Sequence, residues 1–213
     1  MMKICVFGAS ASVEDKYVTA VEELGFELGK AGCSLIFGGY AKGLMEAAAD
    51  GFDRGIKAYA AGIADTPDRG GESGGGFDGK AYESDCENQP EIIGVVPACF
   101  DDERTIHPAC TRIIRTADLA ERKGVMIAEA DAFLAVPGGI GTLDELFEVM
   151  ALKQIGELEK PIAVFGPYGF YDGLDQWLAK LAGEGVISVK LEEVYRSFET
   201  REEVAGFFRQ MAF

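Results

Sequence analysis

Apolar positions along the chain fall into two alternating patterns. Short unbroken apolar runs are separated by longer stretches in which apolar residues recur at three- and four-residue intervals. The first pattern marks a strand buried on both faces, the second a helix with one buried face. Lys3–Gly8 (KICVFG), Cys33–Phe37, Glu91–Pro97, Asp131–Val136 and Pro161–Phe165 are the strand-like runs. Tyr17–Ala31, Leu44–Phe52, Asp118–Ala130, Thr142–Ile155, Tyr171–Ala182 and Arg201–Met211 have helical spacing. In the first of these, Val18, Val21, Leu24, Leu28 and Ala31 share one face, and Gly32 ends it. Asp118 and Glu121 have the spacing of a capping box. A short further strand is expected near Glu193–Tyr195. Strands that alternate with helices predict an α/β fold: a doubly wound parallel sheet in three layers, α/β/α.

One stretch breaks the alternation. Ala64–Gln89 is polar, acidic and glycine-rich, and a loop of that length is uncommon inside a compact domain. It reads as an insertion at about 57–90, either a lid or a surface excursion, in a single domain spanning 1–213. The whole chain has 213 residues, 48% of them hydrophobic, enough for one sizeable core. Its formal net charge of −16 argues against a nucleic-acid groove or a polybasic membrane surface. A small anionic ligand stays compatible, because a local nest of N–H groups outweighs the global field nearby. Cys5, Cys33, Cys86, Cys99 and Cys110 are scattered without a CxxC, as expected of reduced thiols in a cytoplasmic protein. Neither a signal peptide nor a bilayer-spanning apolar run is read from the sequence.

The candidate chemistry centres on Pro137-Gly138-Gly139-Ile140-Gly141-Thr142-Leu143-Asp144-Glu145, at the end of a strand and the start of a helix. Backbone N–H groups at such a helix start form an anion site, and the glycines allow a phosphate to approach. In an open parallel sheet, ligands bind beyond the carboxyl ends of the strands. Gly8-Ala9-Ser10 and Gly38-Gly39 fall on the same edge. Arg122 and Lys123 do too: Arg122 lies nine residues before Asp131, roughly 13 Å at helical rise, which sets it high beside a strand about 17–20 Å long. No GxGxxG and no GxxxxGK[ST] is present. Each feature also has a structural reading. Thr142 and Glu145 have capping-box spacing, Arg122-Lys123 suits a solvated helix face, and Gly38-Gly39 suits a plain turn. His107, the single histidine, has no ligand cluster around it in the sequence, and no metal is expected.

Arg122-Lys123, Met126, Asp131-Ala132-Phe133 and PGGIGTLDE at 137–145 together resemble the "lonely guy" family, long mislabelled as lysine decarboxylases. Gly38-Gly39 with Gly43-Leu44-Met45 is similar to that family's second glycine motif. The resemblance covers most of the chain outside 57–90. It implies a Rossmann-like homodimer, without cofactor, that hydrolyses nucleoside 5′-monophosphates such as cytokinin ribotides or AMP to a free base and ribose 5-phosphate. It further implies Arg122 and Glu145 as the catalytic pair, with Ser10, Gly38, Gly39, Lys123, Gly138, Gly139, Gly141 and Thr142 holding substrate. The chain departs from the family pattern at Tyr40, where a third glycine is usual, at Glu46, at Leu119-Ala120 and at Ala9. A non-catalytic carrier of a nucleotide or of molybdenum cofactor on the same fold is the alternative. A pyridoxal-phosphate decarboxylase would need a lysine in a recognisable cofactor setting, and the sequence offers none.

Overall fold

The computed structural model describes residues 1–62, 89–100 and 102–211. Most of the expected insertion lies outside the described residues. Among the described residues, seven parallel strands form one sheet: β1 (Lys3–Phe7), β2 (Ser34–Phe37), β3 (Ile92–Pro97), β4 (Arg112–Thr116), β5 (Ala132–Ala135), β6 (Ile162–Phe165) and β7 (Arg196–Phe198). Their spatial order is β4-β3-β2-β1-β5-β6-β7. The helices are α1 (Asp15–Lys30), α2 (Gly43–Ala60), α3 (Leu119–Glu129), α4 (Ile140–Gln154), α5 (Asp172–Gly183), α6 (Leu191–Val194) and α7 (Arg201–Met211). This is the doubly wound, Rossmann-like α/β architecture that the pattern predicts.

Strand side chains alternate between two cores, because successive Cβ atoms point to opposite faces of a sheet. Ile4, Val6, Leu35 and Phe37 join residues of α1, α2 and α7 on one face. Cys5, Phe7, Ile36 and Phe133 join residues of α3, α4, α5 and α6 on the other. Both faces are therefore covered, which is why the central strands read as unbroken apolar runs. Among the described residues, no helix is long and apolar enough to cross a membrane.

Three expectations need correction. The strand β4 was not expected: its sequence RIIRT is only half buried, and it lies at the sheet edge, so it lacks the unbroken apolar run that betrays an inner strand. The last strand is Arg196–Phe198, while Leu191–Val194 is a short helix. It too is an edge strand, with Arg196 and Ser197 exposed. The second helix runs on from Phe52 to Ala60, so the first residues of the 57–90 stretch are helical.

α1 and α2 touch through their backbones. A Cβ on Gly25 would meet the carbonyl of Ala48 at 2.7 Å, and one on Gly29 the carbonyl of Phe52 at 2.6 Å. From the other side, Gly51 faces Glu22 and Gly55 faces Phe26. Two glycines four residues apart on each helix remove the side chains that would hold the axes apart. This contact matters for the site, since the loops that lead into these two helices form one of its walls.

Candidate active site

β1 lies between β2 and β5, and the chain leaves β1 toward β2 but leaves β5 toward β6. The loops after β1 and β5 therefore diverge and leave a crevice, the usual ligand position in such sheets. The backbone holds its two lips together. The Ala9 N–H donates to the Pro137 carbonyl at 3.1 Å, and Val136 N–H to Phe7 at 2.8 Å. Below the turn, the buried Tyr171 hydroxyl donates to the Val136 carbonyl at 2.8 Å, and burial pushes that phenol well above its ordinary pKa.

The crevice opens into a cleft of about 550 Å³. Of the residues expected to hold substrate, Ser10, Gly38, Lys123, Gly139, Gly141 and Thr142 line it, as do Arg122 and Glu145. Gly39 and Gly138 stand behind the wall. Gly39 has a φ of +79°, its carbonyl accepts from the His107 N–H, and a Cβ on it would strike Val96. Gly138 gives room to the side chain of Thr142.

Glu145 does not cap its helix. α4 starts at Ile140, with Gly139 as the N-cap and no side-chain cap, so Thr142 already lies within the first turn. The Glu145 carboxylate instead accepts from Nη1 of Arg122 at 3.0 Å, with only 13% and 14% of the two side chains exposed. Nε of Arg122 donates to the Val95 carbonyl at 3.1 Å, which fixes the plane of the guanidinium. Gly38 is a steric requirement of this pair: a Cβ there would lie 2.5 Å from Nη2 of Arg122. Burial raises the pKa of Glu145 above the ordinary carboxylate range, and Arg122 opposes the shift. A carboxylate that is costly to ionise yet held by a guanidinium can exchange a proton or face a developing cation.

Lys123 is occupied differently. Its Nζ lies 2.8 Å from Glu148 and 3.0 Å from Asp144, and these two carboxylates raise its pKa. At α4 the entry is left open for an anion. The first turn carries no acidic residue, and a Cβ on Gly139 or Gly141 would meet open space. The backbone itself does not need those two glycines, so their bareness serves whatever occupies the cleft.

Among the further lining residues, Lys42, Pro97 and Phe100 were not singled out from the sequence, while Tyr40, Met45 and Leu119 stood there only as positions that keep or depart from the family pattern. Tyr40 donates its hydroxyl to the Phe100 carbonyl at 3.1 Å, and the two rings meet edge to face with centroids 5.8 Å apart. Phe100 and Leu119 are large apolar residues left half exposed, which makes this end of the cleft apolar. Residues 39–41 and 105–107 are stitched together by His107 N–H to Gly39 and Ala41 N–H to Thr105. His107 is a buried framework residue. Its Nδ1 accepts from the Ala109 N–H, and its Nε2 lies 3.3 Å from Asp50.

Comparison with known proteins identifies the family of the chain. Residues 79–207 match the family model described as "Possible lysine decarboxylase", and residues 1–75 match the SLOG cluster4 family. The cytokinin riboside 5′-monophosphate phosphoribohydrolase LOG3 of Arabidopsis thaliana is 30% identical over 211 residues, covering 99% of this chain and 83% of its own. The rice enzyme LOG is 29% identical over 203 residues, covering 95% and 70%. Among solved structures, the molybdenum cofactor binding protein of Rippkaea orientalis superposes with a TM-score of 0.64 at 16% identity, covering 100% of this chain and 98% of its own. The molybdenum cofactor carrier protein of Chlamydomonas reinhardtii gives 0.63 at 18% identity, covering 98% and 96%. At such identities these two establish a shared fold only. The family match over most of the chain and the near full-length relatives carry more, and they place this chain in the lysine-decarboxylase-like family to which the cytokinin riboside 5′-monophosphate phosphoribohydrolases belong.

Proposed function

We propose that the protein is a nucleoside 5′-monophosphate N-glycosidase, a phosphoribohydrolase that releases a free base and ribose 5-phosphate. The observation that carries this reading is the largely buried Arg122–Glu145 pair, 3.0 Å apart, in the wall of a cleft that also holds an uncapped helix start. A carrier needs the helix start alone and gives no role to a carboxylate held by a guanidinium in the cleft wall.

Breaking the bond between C1′ and the base nitrogen builds positive charge on the sugar. Glu145 faces that charge and orients the attacking water, accepting its proton as the water adds to C1′. The bonding electrons leave with the base, which takes up a proton. Arg122 keeps the carboxylate aimed while its own plane is locked onto Val95. The free N–H groups at the start of α4 hold the phosphate, so that binding energy remote from C1′ positions the sugar. The apolar end formed by Tyr40, Met45, Phe100 and Leu119 receives the base. Plant relatives carry cytokinin ribotides in their names, and such ribotides together with AMP are the first substrates to try.

The test is incubation with a panel of nucleoside monophosphates, with chromatographic separation of products and Glu145→Gln as the blank. Base and ribose 5-phosphate absent from the blank are expected. A bound nucleotide that survives unhydrolysed in the unaltered protein would turn the assignment to a carrier.

A further inference from the structure

Among the described residues the cleft walls carry three cations, Lys42, Arg122 and Lys123, and two of them are already neutralised. Arg122 is paired with Glu145, and Lys123 lies between Asp144 and Glu148. Lys42 is exposed and has no ion pair or side-chain hydrogen bond among the described residues. Glu46, four residues further on, meets it only through the backbone, its N–H donating to the Lys42 carbonyl at 3.4 Å.

Its position is electrostatically unfavourable in the empty protein. Lys42 is the N-cap of α2, a helix of 18 residues, and it makes no capping bond. A helix start carries partial positive charge and prefers an acceptor side chain there; a lysine offers only donors and more positive charge. The arrangement becomes favourable when an anion lies between the cation and the helix starts.

The backbone also brings Lys42 to the right place. The Leu44 N–H donates to the Ala9 carbonyl at 2.8 Å, and Gly43, with a φ of +64°, is pressed against the carbonyls of Ala9 and Ala11. Ala9 in turn donates to Pro137. Two backbone hydrogen bonds thus tie the loop of Lys42, across the loop that bears Ser10, to Pro137 at the head of the glycine turn, and Lys42 lines the same cleft as Gly139 and Gly141 at the start of α4.

We infer that Lys42 is the cation that grips the phosphate of the substrate, working with the bare helix start of α4, while Lys123 stays committed to its two carboxylates. This rests on the phosphoribohydrolase reading, since it assigns the anion as a 5′-phosphate. It makes Lys42 the residue that separates nucleotides from nucleosides.

Calorimetry with ribose 5-phosphate and with ribose, on the unaltered protein, Lys42→Met and Lys42→Arg, tests it. Lys42→Met should bind ribose 5-phosphate at least about tenfold more weakly, as expected for a lost charge-assisted hydrogen bond. Lys42→Arg should stay close to the unaltered protein. The salt dependence of binding should become shallower in Lys42→Met, a change that a structural role would not produce. Ribose affinity should be the same in all three, and the melting temperature of Lys42→Met should be no lower than that of the unaltered protein, because the exposed ammonium sits unfavourably at a helix start. If Lys42→Met binds ribose 5-phosphate as tightly as the unaltered protein, the role of Lys42 is refuted and the phosphoribohydrolase reading stands. If the unaltered protein binds ribose 5-phosphate no better than ribose, both fall together.

Discussion

At the scale of single residues, the site depends on two side chains held in strained chemical circumstances. Glu145 is pushed toward its neutral form by burial and held as a carboxylate by Arg122. Activity that needs the carboxylate is lost as the pH falls through its raised pKa, so the acid limb of kcat against pH should lie above the ordinary glutamate range of about 4.3. Arg122→Lys removes the fork that bonds Glu145 and Val95 at once. It should lower kcat by on the order of a hundredfold and move the acid limb to higher pH, because the opposing guanidinium contact weakens. The stability consequence has the opposite sign. A carboxyl whose pKa is raised on folding contributes stability in full below its unfolded value, and that contribution is lost as the pH rises through the raised value. Glu145→Gln removes this cost of ionisation and leaves Arg122 an oxygen to donate to. Its thermal midpoint at neutral pH should therefore be no lower than that of the unaltered protein, while turnover vanishes. A clear fall in the midpoint would mean that the pair holds the fold together rather than serving the chemistry.

At the scale of elements, the backbone contact between α1 and α2 sets the spacing of the loops that carry Ser10 and Lys42. Gly51→Ala poses two effects against each other. Alanine is a better helix former than glycine by about 1 kcal/mol. Against this, its methyl would run into the carbonyl of Glu22, and a rigid backbone cannot yield as a side chain does. Overpacking of this kind typically costs about 1–3 kcal/mol, so the substitution should destabilise, as read by urea unfolding. Tyr171→Phe tests the other side of the crevice. Losing a buried hydrogen bond and leaving the Val136 carbonyl unpaired should cost about 1–3 kcal/mol, with the effect on KM visible because that carbonyl immediately precedes the glycine turn.

At the scale of the whole molecule, the cleft draws on both halves of the sheet. The loops after β1, β2 and β3 supply one side, and α3 and the start of α4 the other. A ligand that bridges them binds only the folded protein and stabilises it by mass action, by about 2.7 kcal/mol at a hundred times its Kd. For a chain of this size each kcal/mol is worth roughly 2–4 °C. Saturating ribose 5-phosphate should thus raise the thermal midpoint by about 5–10 °C, and ribose without phosphate should not. Equal shifts from the two would remove the phosphate from the account of binding.

The fold class was legible in the chain because inner parallel strands are buried on both faces and leave unbroken apolar runs. The edge strand β4 was not legible and β7 was expected a few residues too early, because one flank of each faces solvent and charged residues interrupt the run. Arg122, Glu145 and the glycine turn stood out by residue type and spacing, and helical rise was enough to place Arg122 near the sheet edge. Whether Glu145 caps a helix or meets Arg122 was open in one dimension. The register of α4, which starts two residues earlier than the periodicity suggested, decided it in favour of the ion pair. Lys42 and Phe100 carry no mark of their own in the sequence, and Tyr40 is marked only as a departure from a glycine motif. They are distant along the chain from the glycine turn, and only the winding of the sheet around β1 brings them into one cleft. Local sequence thus determined the elements and the chemical groups available at their ends. Which of those groups meet, and which cleft cation is left without an ion pair among the described residues, is a property of long-range packing and could be decided only by the tertiary structure.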